Sequence, residues 1–213
     1  MLLMEKDPSS LESEAFRALR TNVEYSPIGG ESKVIVITSA QAQEGKTSVS
    51  VNLASSLTQI NNKVVLVDCD MRRPSIHKKF SIANEDGLAE ILIKKKQLKD
   101  VVRNHNDKLS IITAGNKSPN PAEILADPQM EKLIEDMKRE YDYIILDTPP
   151  IGTFADAQIL AGKVDGVLLV VRANKTKRNL VLSAVNAVKK VNGKVIGTVI
   201  NGVDRKINRY YYK

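Results

Sequence analysis

Six runs of aliphatic residues recur along this 213-residue chain without the polar alternation of a half-exposed strand: 33–39 (KVIVITS), 63–68 (KVVLVD), 109–114, 143–147 (YIILD), 164–171 and 194–201. Such runs suit strands covered on both faces. Between them lie stretches with helical spacing, at 46–60, 87–93, 128–140, 155–161 and 177–191. Strand and helix alternating in this way predict an α/β fold, a mostly parallel central sheet with helices on both faces. A further helix is expected over 10–25, with Leu11, Ala15, Leu19 and Val23 spaced by four and a capping box from Ser9 and Glu12. Pro27-Ile28-Gly29-Gly30 closes it. No repeat or low-complexity linker interrupts the chain, so one domain over 1–213 is expected.

In parallel sheets ligands sit at the carboxyl ends of the strands. The first run is followed by Ala40-Gln41-Ala42-Gln43-Glu44-Gly45-Lys46-Thr47, a phosphate-binding loop with Ala in place of the first Gly, between a strand and a helix. Backbone N–H groups of Ala42, Gln43, Glu44, Gly45, Lys46, Thr47 and Ser48, together with the helix N-terminus, are expected to face phosphate oxygens. Lys46 reaches the β- and γ-phosphates, and the Thr47 hydroxyl is placed for Mg²⁺. The second run ends in Asp68-Cys69-Asp70-Met71-Arg72-Arg73 and the fourth in Asp147-Thr148-Pro149-Pro150. Asp68, Asp70 and Asp147 thus emerge on the phosphate side, where they share the metal and the incoming nucleophile or cap a turn. Cys69 is expected on the opposite face as a small hydrophobe. Arg72 and Arg73 offset phosphate charge, pair with a carboxylate or lie on the surface. Asn201, at the end of the last run, reads a base edge or marks a turn.

Composition narrows the chemistry. One cysteine excludes an intrachain disulfide, and two histidines argue against a zinc enzyme. No apolar run approaches the ~20 residues of a spanning helix, and the first residues lack the apolar stretch of a secretion signal. A cytoplasmic, reducing compartment is therefore expected. The net charge of +7 is scattered apart from Lys94-Lys95-Lys96 and the tail. Aromatic residues make up 4%, too few for a stacking platform, so nucleic acid is not an expected partner.

The loop, the Asp68-x-Asp70-x-Arg72 motif after three aliphatics and the late Asp147-Thr148-Pro149-Pro150 together resemble the Walker A, A′ and B motifs of the bacterial tyrosine kinases of capsular and exopolysaccharide biosynthesis. Glu14, Arg17 and Arg20 match that family's Glu-x-x-Arg-x-x-Arg motif, and Tyr210, Tyr211 and Tyr212 resemble its C-terminal tyrosine cluster. By the sequence alone, the first three form a stripe on one helix face. The last three lie beside a terminus, which can offer hydroxyls as acceptors, pack as a final strand or form a sticky end.

The resemblance implies a P-loop domain using ATP and Mg²⁺, with an N-terminal oligomerisation helix within 1–30 and a phosphorylated tail over 204–213. It implies subunit contacts through Glu14, Arg17 and Arg20 in a ring, with tail phosphorylation in trans. It implies a separate transmembrane activator of the polysaccharide co-polymerase kind, a cognate tyrosine phosphatase, and a peripheral position at the inner face of the membrane through that activator. Min- and Par-type partitioning ATPases share the fold but carry a second lysine early in the loop, where this chain has Gln41. The rival readings are an ATPase switch and a nucleotide-binding scaffold without kinase activity.

Overall fold

The computed structural model describes residues 3–203. Seven strands form one sheet: β1 (Lys33–Ser39), β2 (Val64–Asp68), β3 (Arg103–Asn104), β4 (Leu109–Ile112), β5 (Tyr143–Asp147), β6 (Gly166–Arg172) and β7 (Val195–Asn201). Their order is β3-β4-β2-β5-β1-β6-β7, and every neighbouring pair is parallel except β3 with β4. The helices are α1 (Leu3–Lys6), α2 (Leu11–Glu24), α3 (Lys46–Thr58), α4 (Ile76–Phe80), α5 (Leu88–Leu92), α6 (Leu98–Val101), α7 (Pro121–Ala126), α8 (Pro128–Lys138), α9 (Asp156–Ala161) and α10 (Arg178–Lys189).

Each central strand serves two cores because successive side chains leave a strand on opposite faces. Val34, Val36, Val65, Val67, Ile144 and Leu146 pack with Leu88, Leu133 and Leu160 from α5, α8 and α9. The intervening Ile35, Ile37, Val64, Leu66 and Ile145 pack with Leu53 and Leu57 of α3 and Val23 of α2. That double burial explains the runs without polar alternation. Leu53 and Leu57 are fully buried, and truncating either to Ala would cost about 2–5 kcal/mol.

The six expected strands are present, with β4 shorter than its run and β6 beginning at Gly166 rather than at 164. The short antiparallel β3 and helices α1, α4, α6 and α7 have no counterpart in the sequence reading. Such four- to six-residue helices lack the length for a periodic signal and exist through tertiary docking. The cap of α2 is also displaced by one residue. Ser10, not Ser9, is the N-cap, and its Oγ accepts from Ser13 N at 3.2 Å, while Ser9 Oγ donates to Asp7.

Candidate active site

The loop after β1 runs into α3 through Gly45, whose φ of 94° lies in the left-handed region. A Cβ there would come within 1.9 Å of Asn201 Nδ2, so glycine is required by both conformation and space. Gln43 also has positive φ. Glu44 turns inward as a staple. One carboxylate oxygen accepts from Gln41 N at 3.0 Å, the other from the Thr176 hydroxyl, and its carbonyl accepts from Asn201 Nδ2 at 2.9 Å. Asn201 therefore braces the loop from the end of β7, and its Oδ1 accepts from Gly202 N. Ala42 and Ser48 are exposed around this bend.

Asp68 and Asp147 face each other in register on adjacent parallel strands, so both carboxylates emerge on the α3 side. Thr47 Oγ1 donates to Asp147 Oδ2 at 2.7 Å, and Ser50 Oγ lies 2.9 Å from Asp147 Oδ1. Lys46 Nζ pairs with Asp70 Oδ2 at 3.0 Å. Asp68 is turned onto its own loop: Oδ2 accepts from Ser75 N and Ile76 N at 2.9 and 3.0 Å, and Oδ1 from Asp70 N at 3.1 Å. Arg73 N donates to Asp70 Oδ1, and Ser75 Oγ donates to Thr47 Oγ1.

Burial, with Asp147 beside it, pushes the Asp68 carboxyl from an ordinary 3.8 up to about 7, against the lowering effect of the Ile76 and Ser75 N–H groups. Burial also raises Asp147, while the Lys46 ammonium and the Thr47 and Ser50 hydroxyls oppose the rise. Cys69 is buried in the core of the other face, and burial pushes its thiol up, keeping it unreactive.

Arg72, left open between three roles by the sequence, makes a two-pronged pair with Asp156 through Nε and Nη2 at 2.9 and 3.0 Å. Its guanidinium also lies 4.3 Å from the centroid of Phe154. The fully buried Asp156, together with Ser50, Ser75 and Thr176, went unread in the sequence. The one available signal for Asp156 was a carboxylate opening a helix that is apolar apart from Gln158.

Glu14, Arg17 and Arg20 share α2, but two of them are engaged locally. Arg17 Nη1 pairs with Glu14 at 2.8 Å and its Nη2 donates to Pro8 O. Arg20 turns inward and donates from Nη1 to Ser56 O on α3 at 2.9 Å. Its Nε is buried without a hydrogen-bond partner among the described residues. Tyr210, Tyr211 and Tyr212 lie outside the described residues.

The donors at this site are hard oxygens, which suits Mg²⁺. Among the described residues no group of three or more His, Cys, Asp or Glu can hold a metal by itself. The metal fits here only with hydroxyl and phosphate oxygens completing its shell, and Thr47 beside Asp147 provides such a position.

A glycine-cornered loop opening a helix at the carboxyl end of a parallel sheet, with carboxylates under it, defines the P-loop nucleotide-binding class. Residues 32–198 match a family described as an AAA domain. The chain is 38% identical over 205 residues to the tyrosine-protein kinase YwqD of Bacillus subtilis, covering 96% of this chain and 86% of that protein. It is 35% identical over 214 residues to the putative tyrosine-protein kinase CapB of Staphylococcus aureus, covering 99% and 94%. The kinase domain of the Escherichia coli tyrosine kinase ETK superposes with a TM-score of 0.92 at 33% identity, over 96% of this chain and 80% of that one. This chain belongs to the AAA-domain family and, within it, to the bacterial tyrosine-protein kinases. Among the described residues no helix is long and apolar enough to cross a membrane.

Proposed function

We propose that this chain is an ATP-dependent protein-tyrosine kinase that phosphorylates its own Tyr210, Tyr211 and Tyr212 in trans within a ring of copies. In this reading it thereby regulates capsular or exopolysaccharide synthesis and export. The observation that carries the reading is the meeting of Lys46, Thr47, Asp70 and Asp147 beneath the loop. The kinase names of the relatives favour it over an ATPase switch or a scaffold.

Each residue then has a defined task. The N–H groups of residues 42–48 hold the phosphates, and Lys46 exchanges its bond to Asp70 for phosphate oxygens, stabilising charge there. Thr47 and Asp147 would hold Mg²⁺, which would supply neutralisation of the phosphate charge. A tyrosine hydroxyl, with a solution pKa near ~10, attacks in line and passes its proton to a strand-end carboxylate. Asp68 is our first choice for that base because its raised pKa suits accepting a proton near neutrality, and Asp70 is the second. For Asp68 to act, the 70–76 loop must release one of its oxygens. Asn201 is positioned beside the loop, where its neighbourhood would receive the base.

The whole chain acts as one domain. Its N-terminal stretch, 1–30, carries Glu14, Arg17 and Arg20, which would exchange their bonds to each other and to Ser56 O for contacts with a neighbouring copy, and 204–213 carries the acceptor tyrosines. Its partners are a transmembrane activator of the co-polymerase kind, which places the cytoplasmic chain at the membrane's inner face, and a cognate phosphatase. Incubating purified protein with Mg-ATP, with and without an activator tail, and mapping products by mass spectrometry tests the reading. Phosphate is expected on the tail tyrosines of wild type and absent in Lys46→Met. ATP turnover with no phosphotyrosine under either condition would refute it.

A further inference from the structure

A cleft of about 1100 Å³ lies away from the phosphate loop. It lies between the α5–α6 segment and α8, and it includes Tyr141, two residues before β5 begins. That places it by the amino-terminal ends of the strands, a full strand length away from the carboxylates at their carboxyl ends.

The cleft has a graded lining. The half-buried Leu98, backed by the almost fully buried Ile91 and Leu133, gives an apolar floor continuous with the core. The exposed Lys94, Lys95, Lys99 and Lys132 stand around it, and none of the four is ion-paired among the described residues. The other two cations of the rim are committed nearby, Lys96 to Asp86 at 3.2 Å and Arg139 to Asp136 at 3.4 Å. The lysine run that stood out in the sequence is thus gathered with a lysine from another helix around a recessed apolar surface. Solvation alone does not require that arrangement, since isolated surface lysines are served equally well on a convex face.

We propose that this cleft docks an acidic peptide segment of a partner protein, with its carboxylates on the lysine rim and an apolar side chain on the floor. A flat bilayer would meet the lysines but not the recessed floor. A continuous phosphate backbone would meet Asp100, Asp136 and Glu140, which also line the cleft, and be repelled. A peptide can place its charges opposite the lysines and spare those carboxylates.

The test is fluorescence anisotropy with a labelled peptide of repeated Glu-Glu-Leu triplets, measured on the full chain. Vesicles containing phosphatidylglycerol and a DNA duplex serve as separate arms. Wild type is expected to bind the peptide saturably, more weakly as salt rises and the Debye length shrinks below ~10 Å. K95E/K99E/K132E should bind at least about tenfold more weakly, while its Mg-ATP-dependent autophosphorylation without peptide stays at the wild-type level. If the triple variant does not fold, as judged by circular dichroism, K132E and K99E singly take its place. Absence of saturable peptide binding, equal affinity in the variants, or tighter binding to vesicles or duplex than to peptide would each overturn the proposal.

Discussion

Two acidic side chains forced together at the ends of adjacent strands set the residue-scale behaviour. The register pairs Asp68 with Asp147, and both carboxyls are raised by burial and, for Asp68, by its neighbour's charge. Both folded-state pKa values lie above those of the unfolded chain, and the Asp68 shift sets a window, from about 4 to 7, in which the folded state binds more protons. The stability this pair contributes is greatest below that window and falls as pH rises through it. Denaturant midpoints should therefore drop between about pH 4 and pH 7, and Asp68→Asn should flatten that slope while lowering autophosphorylation. An unchanged slope in Asp68→Asn would show that the protons are bound elsewhere. Gly45 gives a second prediction. Gly45→Ala must accept φ of 94° and a contact at 1.9 Å with Asn201, so a loss of about 1–3 kcal/mol and weakened nucleotide binding are expected in titrations. Removing the obstructing amide with Asn201→Ala should restore part of the loss but not all, because the backbone strain remains.

At the scale of elements, the site is two loops clamped to each other. The 70–76 segment after β2 carries Asp70 and the N–H groups that hold Asp68, and the 150–156 segment follows Asp147 into α9. Arg72 bridges them through Asp156, with Phe154 over the guanidinium. The carboxylate is fully buried and the arginine side chain is 31% exposed. Removing one partner of a wholly buried pair costs about 3–5 kcal/mol, so about 2–3 kcal/mol is expected for Asp156→Ala at this partly exposed one. Asp156→Glu should recover stability better than activity, since a longer side chain keeps the charge but shifts the loop. Thermal melts and phosphorylation rates measured on the same samples separate the two effects.

For the whole molecule, the sheet separates two sites in space. The phosphate loop sits at the carboxyl ends of the strands and the lysine-rimmed cleft at the other end. β7 forms the edge opposite β3 and β4, and the tyrosine-bearing tail follows it in the chain. On the proposed reading, each phosphorylation adds about −1.5 to −2 charges to a tail that docks at a neighbouring copy's nucleotide site, which should weaken that docking. Wild type given ATP should therefore run smaller on a sizing column than Lys46→Met. A wild type that keeps its size while its tail becomes phosphorylated would dissociate assembly from modification.

The parallel sheet, its two cores, the phosphate loop and the strand-end acids could all be read from the linear chain. Each is written in local order: aliphatic runs of strand length, a loop of set spacing, and charge directly after an apolar run. The Ser10 cap, the inward Glu44 staple, the Arg72–Asp156 clamp and the bracing of the loop by Asn201 could not. Glu44 meets Thr176 and Gly45 meets Asn201 across more than a hundred residues of chain, and no periodicity encodes such a meeting. The residue types and their strand-end positions were determined by sequence. Which carboxylate meets the lysine, which accepts the threonine hydroxyl and which is sealed by backbone N–H groups was decided by tertiary packing, because hydrogen bonds depend on distances that only the folded sheet sets.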